Sequence, residues 1–413
     1  MQDTELYRQI LGLPSDWIIS DVILDLVAQT VRVFAEPDLE VAKMLCPNCQ
    51  GVCPVYDLRE SRTWRHLGSC QFQTFLVAKL PRVNCQDHGI QTISVPWSDA
   101  YSRFTHLFER FAIDVLLATG VQSKAARLLH LNSGQICRIM RLAVSRGISR
   151  RDHNALMPHL SIDEKSFQKG HEYITVLSDP GGKRVLDVTQ DRTLTAVQEL
   201  LKTSLTPLQI QVVRSVSMDM WPAFLTSRYL VLPLADTVHD RFHVSAYLNT
   251  AVDKTRRSEH KKLTKQKNTV LTNSKYVWLK SPENMTEKQK MTFAKLNGLD
   301  LETAKVWAFK DNFRQFFESK TKYGADLFFR RWMEAVIVLN NPYLTKVAQM
   351  LQRHLSGLLA YIHHRVSNGT AEGLNGRIQL IKANARGYRT FKNFRVAILF
   401  FLGKLDMYPQ KTS

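Results

Sequence analysis

Cysteine is scarce, with six residues in 413. That excludes a disulfide framework, and it makes closely spaced cysteines read as metal ligands. No run of about 18 or more uncharged apolar residues occurs, so no membrane-spanning helix is expected. The stretch VAILFFLG near the C-terminus is too short. The opening MQDTELYRQILG lacks the basic start and apolar centre of a secretory signal, which points to the cytoplasm. Glycine (18) and proline (14) are too few for a collagen-like chain, and a 44% hydrophobic content is enough for real cores. Acids are also few: 37 against 56 Lys and Arg leave a net charge of +19. So basic a folded chain implies a polyanionic partner, most often nucleic acid. At roughly 100–200 residues per domain, two to four domains are expected.

Residues 15–35 alternate apolar and polar side chains and read as two strands. Cys46-Pro-Asn-Cys49 follows, and then Cys85-Gln-Asp-His88. Each pair can present two ligands to one ion, so together they predict a structural Cys3His zinc site in a zinc-ribbon-like module. Four protein ligands leave no open position for water. Cys53 and Cys70 are rival ligands.

Residues 104–118 carry apolar side chains at helical spacing. Beyond them Ser123 can cap a short helix, and Ser133 a second one in which Ile136, Ile139, Met140 and Ala143 face inward. This is a helix-turn-helix pattern. Its outward positions include Gln135, Arg138, Arg141 and Arg146, residue types suited to base edges and phosphates. Arg146, Arg150 and Arg151 read as a basic linker.

The pattern then changes. Strands are predicted at 159–163, 173–179 and 183–188, a helix at 195–205, a strand at 210–218, a helix from Pro222, and a strand at 236–243. Three strands in series, then helix, strand, helix, strand, is the order of an RNase H-like mixed sheet, in which the first and fourth strands are neighbours. Asp163 and Asp219 would then lie side by side. Such carboxylates repel unless cations neutralise them, and hard oxygen ligands suit two Mg²⁺ or Mn²⁺ ions. Glu372 is the candidate third ligand. Only Asp406 follows it among acids, and the basic residues Arg377, Lys382, Arg386 and Arg389 suit a DNA backbone.

Residues 244–360 read as helices at 246–265, 287–296, 301–319, 325–339 and 343–360, a helical insertion. The basic stretch 251–270 suits a backbone-contacting face. Trp278, Trp307 and Trp332 read as core anchors. Asp240 and His243 are expected at the mouth of the fifth strand beside the acids. There they would orient phosphate or hold an unpaired base, and Asp240 is the main rival metal ligand. Glu164 should point away from Asp163, because side chains alternate along a strand.

The strings SIDEKSFQKGHEYITVLSD, SMDMWPAF, HDRFHV and SNGTAEGLNGRIQLIKANARGYRTFKNFR resemble the ISL-three group of bacterial insertion-sequence transposases. The resemblance runs from the CPNC knuckle through the last helix. It implies a DDE transposase with Asp163, Asp219 and Glu372 as the triad, and matches the group's zinc and helix-turn-helix regions to 46–88 and 104–149. Members often carry Cys at the final zinc position, where His88 stands here. The expected domains are 1–100 (zinc), 101–151 (helix-turn-helix), 152–243 with 361–413 (catalytic) and 244–360 (insertion). Expected partners are terminal inverted repeats and target DNA, bound by a homodimer or larger assembly in a bacterial, nucleoid-associated setting. A nuclease or resolvase on the same core, or a non-catalytic DNA-binding regulator, are the rival readings.

Overall fold

In the computed structural model, which describes residues 3–38, 44–168, 172–366 and 369–409, the chain forms two units. The first runs to Arg151 and takes in Asn384–Arg386 and the chain from Leu405. The second comprises Asp152–Ala383 and Gly387–Lys404.

The first unit opens with α1 (Asp3–Leu11), followed by β1 (Trp17–Asp25), β2 (Thr30–Pro37), β3 (Val55–Arg65), β4 (Gln73–Cys85) and β5 (Gly89–Thr92). The sheet order is β1-β2-β4-β3, with β5 on β4. Strand alternation sends Val31, Val33 and Ala35 inward. They meet Trp17, Trp64 and Trp97, whose rings pair edge-on at 4.5 and 5.6 Å.

Three helices follow: α2 (His106–Thr119), α3 (Gln122–Leu129) and α4 (Ser133–Ser149). Thr105 caps α2, and left-handed Gly120 ends it. Val121 precedes α3 and offers no side-chain cap, so Ser123 lies inside the helix. Asn132, not Ser133, caps α4. Its side chain accepts from the Gln135 amide and Gln135 reaches back, a reciprocal pair that Ser133 could not form with the residue three ahead. Ile136, Ile139, Met140 and Ala143 are buried as expected.

Arg146 does not face outward. It donates to Glu109 at 2.8 Å, to Asp99 at 3.0 Å and to the Met407 carbonyl at 2.6 Å. Arg150 donates to the Tyr408 carbonyl. The chain from Leu405 is thus tied to α4 and does not join the sheet for which 361–413 was expected. Gly147 permits this approach, since a Cβ there would strike Leu405 at 2.5 Å.

In the second unit, β6 (His159–Gln168), β7 (Glu172–Asp179) and β8 (Arg184–Gln190) form an antiparallel meander. Next come α5 (Leu194–Ser204), α6 (Pro207–Val212), β9 (Ser215–Met218), α7 (Pro222–Val231) and β10 (Asp236–His239). The sheet order is β10-β9-β6-β7-β8, with β9 parallel to both neighbours. The expected strand at 210–218 is half helix. Pro207 sits at the first helical position, and Thr206 and Gln209 form a capping box, so the strand begins only at Ser215. The expected strand at 236–243 stops at His239, because Asp240 caps the next helix.

That helix, α8 (Arg241–Lys265), starts a helical region with α9 (Lys275–Leu279), α10 (Glu287–Asn297), α11 (Glu302–Asn312), α12 (Arg314–Glu318), α13 (Lys322–Leu339), α14 (Pro342–Arg353) and α15 (Leu355–His364). Two expected helices break, at Phe313 and at His354, and α9 was not anticipated. Trp278, Trp307 and Trp332 lie in this region's own core, as expected. Last come α16 (Gly369–Asn384) and α17 (Phe391–Leu402). Phe394 of α17 stacks on Phe167 of β6 at 5.5 Å. Among the described residues, no helix is long and apolar enough to cross a membrane.

Candidate metal centre and candidate active site

Two places gather ligand-type side chains, one in each unit. In the first unit the Cys46 amide donates to the Gly51 carbonyl, folding the Cys46–Cys49 knuckle back on itself. Cys85 ends β4, and His88 stands in the turn to β5. Cys46 Sγ and Cys85 Sγ lie 3.8 and 3.6 Å from His88 Nδ1, and Cys49 Sγ lies 3.7 Å from Cys85 Sγ. All four ligand atoms fall within 4.8 Å of one another. Zinc bonds of about 2.1 Å to nitrogen and 2.3 Å to sulfur require tetrahedral edges of roughly 3.5–3.8 Å. The residues therefore fit a closed, structural zinc site. Cys53 stays outside the four and donates to the Gly51 carbonyl instead. Cys70 is exposed in the turn before β4.

In the second unit, β6 and β9 run parallel in the register His159↔Ser215, Leu160↔Val216 and Ser161↔Ser217. Asp163 lies two residues beyond the last of these pairs on β6, and Asp219 two residues beyond it, just past the end of β9. Leu160, Ile162, Val216 and Met218 enter the core on one face. By alternation, Asp163 and Asp219 share the other face. Glu164 points away and pairs with Arg192 at 2.7 Å, as expected.

Each acid has its own holder. Asp163 Oδ2 accepts from the Asn375 side-chain amide and lies 3.4 Å from Lys165 Nζ. Asp219 Oδ1 accepts from the Tyr247 hydroxyl at 3.3 Å and lies 3.7 Å from His243 Nδ1. Burial, together with the negative charge of Asp219, pushes the Tyr247 hydroxyl up to about 12. His239, buried behind, lies with Nδ1 3.2 Å from the Met218 carbonyl, next to Asp219 in the chain, and its burial drops the imidazole to about 4.

Glu372 lies one helical turn before Asn375 on α16. Partial burial, then the charges of Asp240 and Asp163, raise its carboxyl above the ordinary range. Glu372, Asp163 and Asp240 therefore share one electrostatic neighbourhood. Among the described residues, however, only the Cys3His group is drawn within 4.8 Å. Like charges held by separate partners stand further apart. Asp240 directly follows the last residue of β10 and is buried as the cap of α8, its side chain accepting from the Phe242 amide. His243 does face Asp219.

The expected DNA-contacting residues divide. Arg138 and Arg141 are exposed on α4, while Gln135 is spent on its capping box. Arg377, Arg386 and Arg389 are exposed, whereas Lys382 donates to the Ser166 carbonyl at 3.0 Å. Asn375, Tyr247 and Lys165 were missed. The available signal was spacing: Asn375 is three residues after Glu372, and Tyr247 four after His243, each on its neighbour's helix face.

A family model described as a transposase matches residues 160–398. A second, described as the zinc-finger of transposase IS204/IS1001/IS1096/IS1165, matches residues 42–88. The chain is 24% identical over 374 residues to the transposase for insertion sequence element IS1001 of Bordetella parapertussis, covering 90% of this chain and 91% of that one. It is 26% identical over 431 residues to the transposase for insertion sequence element IS1557 of Mycobacterium tuberculosis, covering 94% and 93%.

Proposed function

The chain belongs to the ISL3 family of DDE transposases, and on that premise we propose that Asp163, Asp219 and Glu372 are its catalytic, metal-holding carboxylates. One observation carries this reading. The parallel pairing of β6 with β9 just before Asp163 and Asp219, and the charge of Asp163 acting on Glu372 of α16, support it. Crowded hard oxygen donors are what Mg²⁺ or Mn²⁺ requires. The strand order β10-β9-β6-β7-β8, with helices between the parallel strands, supports an RNase H-like core.

Bound there, a pair of divalent ions would supply the charge that activates the attacking oxygen and steadies the leaving one. The chain's own residues hold the geometry. Asn375 and Lys165 fix Asp163, while Tyr247 and His243 fix Asp219. In the first step a water oxygen bonds to phosphorus at the transposon end. The bond to the 3′ oxygen breaks, and that oxygen leaves as a hydroxyl. In the second step the freed hydroxyl attacks a target phosphodiester and displaces the target's own 3′ oxygen.

The left-handed turn at His130 between α3 and α4, with Arg138 and Arg141 exposed on α4, supports a helix-turn-helix that reads the terminal inverted repeats. The zinc site would stiffen the module before it. Joining two ends calls for at least a dimer on DNA, in the nucleoid of a bacterial cell. The test is an end-containing duplex with target plasmid and Mg²⁺. Cut ends and joined products are expected, and both are lost in Asp163→Asn. If that variant cuts as the parent does, the triad is wrong. Cutting without joining would make the protein a nuclease.

A further inference from the structure

Four arginines of the first unit gather round one turn. Arg62 of β3 donates to the Ser102 carbonyl at 2.7 Å, and Arg138 of α4 donates to the neighbouring Tyr101 carbonyl at 2.9 Å. Arg103 is the next residue of the turn, and Arg59 stands three before Arg62 on β3. The Arg62 guanidinium also lies over the buried Trp64 ring, 5.0 Å from its centroid, which fixes its direction. Arg59, Arg103 and Arg138 are exposed, and so is Tyr101. None of the four arginines pairs with a carboxylate among the described residues. Elsewhere in the unit arginines do: Arg82 pairs with Asp57, and Arg146 with Glu109 and Asp99. Burial, then the charges of Arg103, Arg59 and Arg138, pull the Arg62 guanidinium below its ordinary range, against the nearby Tyr101 hydroxyl.

A repulsion that no acid of the chain relieves calls for an anion from outside. A guanidinium carries five N–H donors in a rigid fork, and Arg62 and Arg138 each use one nitrogen on the turn. The remaining donors suit phosphate oxygens, which arginine grips in pairs. We propose that Arg59, Arg62, Arg103 and Arg138 form a phosphate site for the DNA strand bordering the groove that α4 enters, so that β3 of the zinc module itself holds the transposon end. The inference rests on the reading of α4 as a DNA-contacting helix. Arg138 stands on that helix, and the turn at 101–103 carries the basic surface on to β3. Contacts of this kind set affinity and register and carry no base sequence. Zinc then supports the site as well, since Cys85 ends β4, the strand that β3 pairs with.

The test titrates the full chain against end-containing and random duplexes over a range of salt, without added Mg²⁺ so that nothing is cut. Arg59→Gln and Arg103→Gln, both exposed positions, should leave the melting profile unchanged. Each should weaken binding about fivefold at 0.15 M salt and lower the slope of log affinity against log salt by about one. The loss should be equal on the two duplexes, since a phosphate contact is blind to sequence. Neutral methylphosphonates placed one at a time along the end should weaken the parent at one or two positions beside the groove segment. In the double variant those positions should have no effect. A double variant with the parent's slope would overturn the proposal. So would methylphosphonate penalties that persist in it, or a loss confined to the end sequence, which would mean base reading. A parent that binds both duplexes alike, with the slope still lowered in the variants, would instead fault the reading of terminal repeats and leave the phosphate site standing.

Discussion

The two ligand clusters of this chain are built in opposite ways. The Cys3His group comes from a knuckle and a hairpin turn, and its Cys46–His88, Cys85–His88 and Cys49–Cys85 distances already match tetrahedral edge lengths. The carboxylate group comes from β6, the end of β9 and α16, and its members are kept apart by Asn375, Lys165, Tyr247 and His243. The first arrangement uses every coordination position and holds a fold together. In the second, as proposed, the carboxylates would hold ions that must also take water and phosphate. The zinc-type cluster is local in the chain, whereas the carboxylate group is assembled from far apart and carries its own supporting side chains.

The largest effect should come from breaking the first cluster. Structural zinc contributes on the order of 10 kcal/mol of apparent folding free energy in small modules. Cys85→Ser, or a zinc-selective chelator, should therefore unfold the zinc module and abolish binding to transposon ends. Zinc content by elemental analysis should fall from one ion per chain to none. If unfolding leaves zinc bound, the ligand set is wrong, and Cys53 becomes the next candidate.

Next in size is the second cluster. Asp219→Asn should slow strand cleavage by about a thousandfold, roughly 4 kcal/mol of transition-state stabilisation. Zinc content and the melting profile should stay at the parent's values, because Asp219 serves charge and not packing. A variant that loses zinc as well as activity would erase the contrast between the two sites.

Asn375 sharpens the contrast. Supporting residues around metal ligands change affinity by about 10- to 100-fold. Asn375→Ala removes the amide partner of Asp163 Oδ2, so Mn²⁺ affinity by calorimetry should drop within that range, and excess metal should recover most of the cleavage rate. Recovery is the deciding readout, since a merely structural loss would not respond to metal.

Much of this was legible in the chain, for reasons particular to each part. The zinc ligands were readable because two residues between ligands is a constraint written within one turn. Asp163 and Asp219 stood out as candidates because apolar runs lead up to both. The misreadings have one cause: local chemistry overrode periodicity. Pro207 with its capping box turned half a strand into helix, and Asp240 stopped another strand by capping α8. Arg146 looked like a DNA contact by its position on α4, yet Glu109 and Asp99 claim it. Asn375 could not be read at all as the partner of Asp163, because that bond joins residues 212 positions apart.

Acid offers the gentlest probe, and it separates the two units by sign. Hydrogen bonding to His106, with Arg146, holds Asp99 down at about 2. Its ionised form is favoured by folding, so its contribution is present above the ordinary carboxylate range and is lost as pH falls toward 2. Glu372 runs the other way. Desolvation, with Asp240 and Asp163, raises it, so folding disfavours its charge and stability improves as pH falls through the carboxylate range. The effect is small because the side chain is largely exposed. Glu372→Gln should stabilise the second unit at neutral pH by less than about 1 kcal/mol, a gain that fades on acidification while cleavage is lost throughout. Denaturant melts at pH 7 and at pH 4 would check it. A variant less stable than the parent at pH 7 would mean that Glu372 is held by a favourable partner and is not poised for a cation.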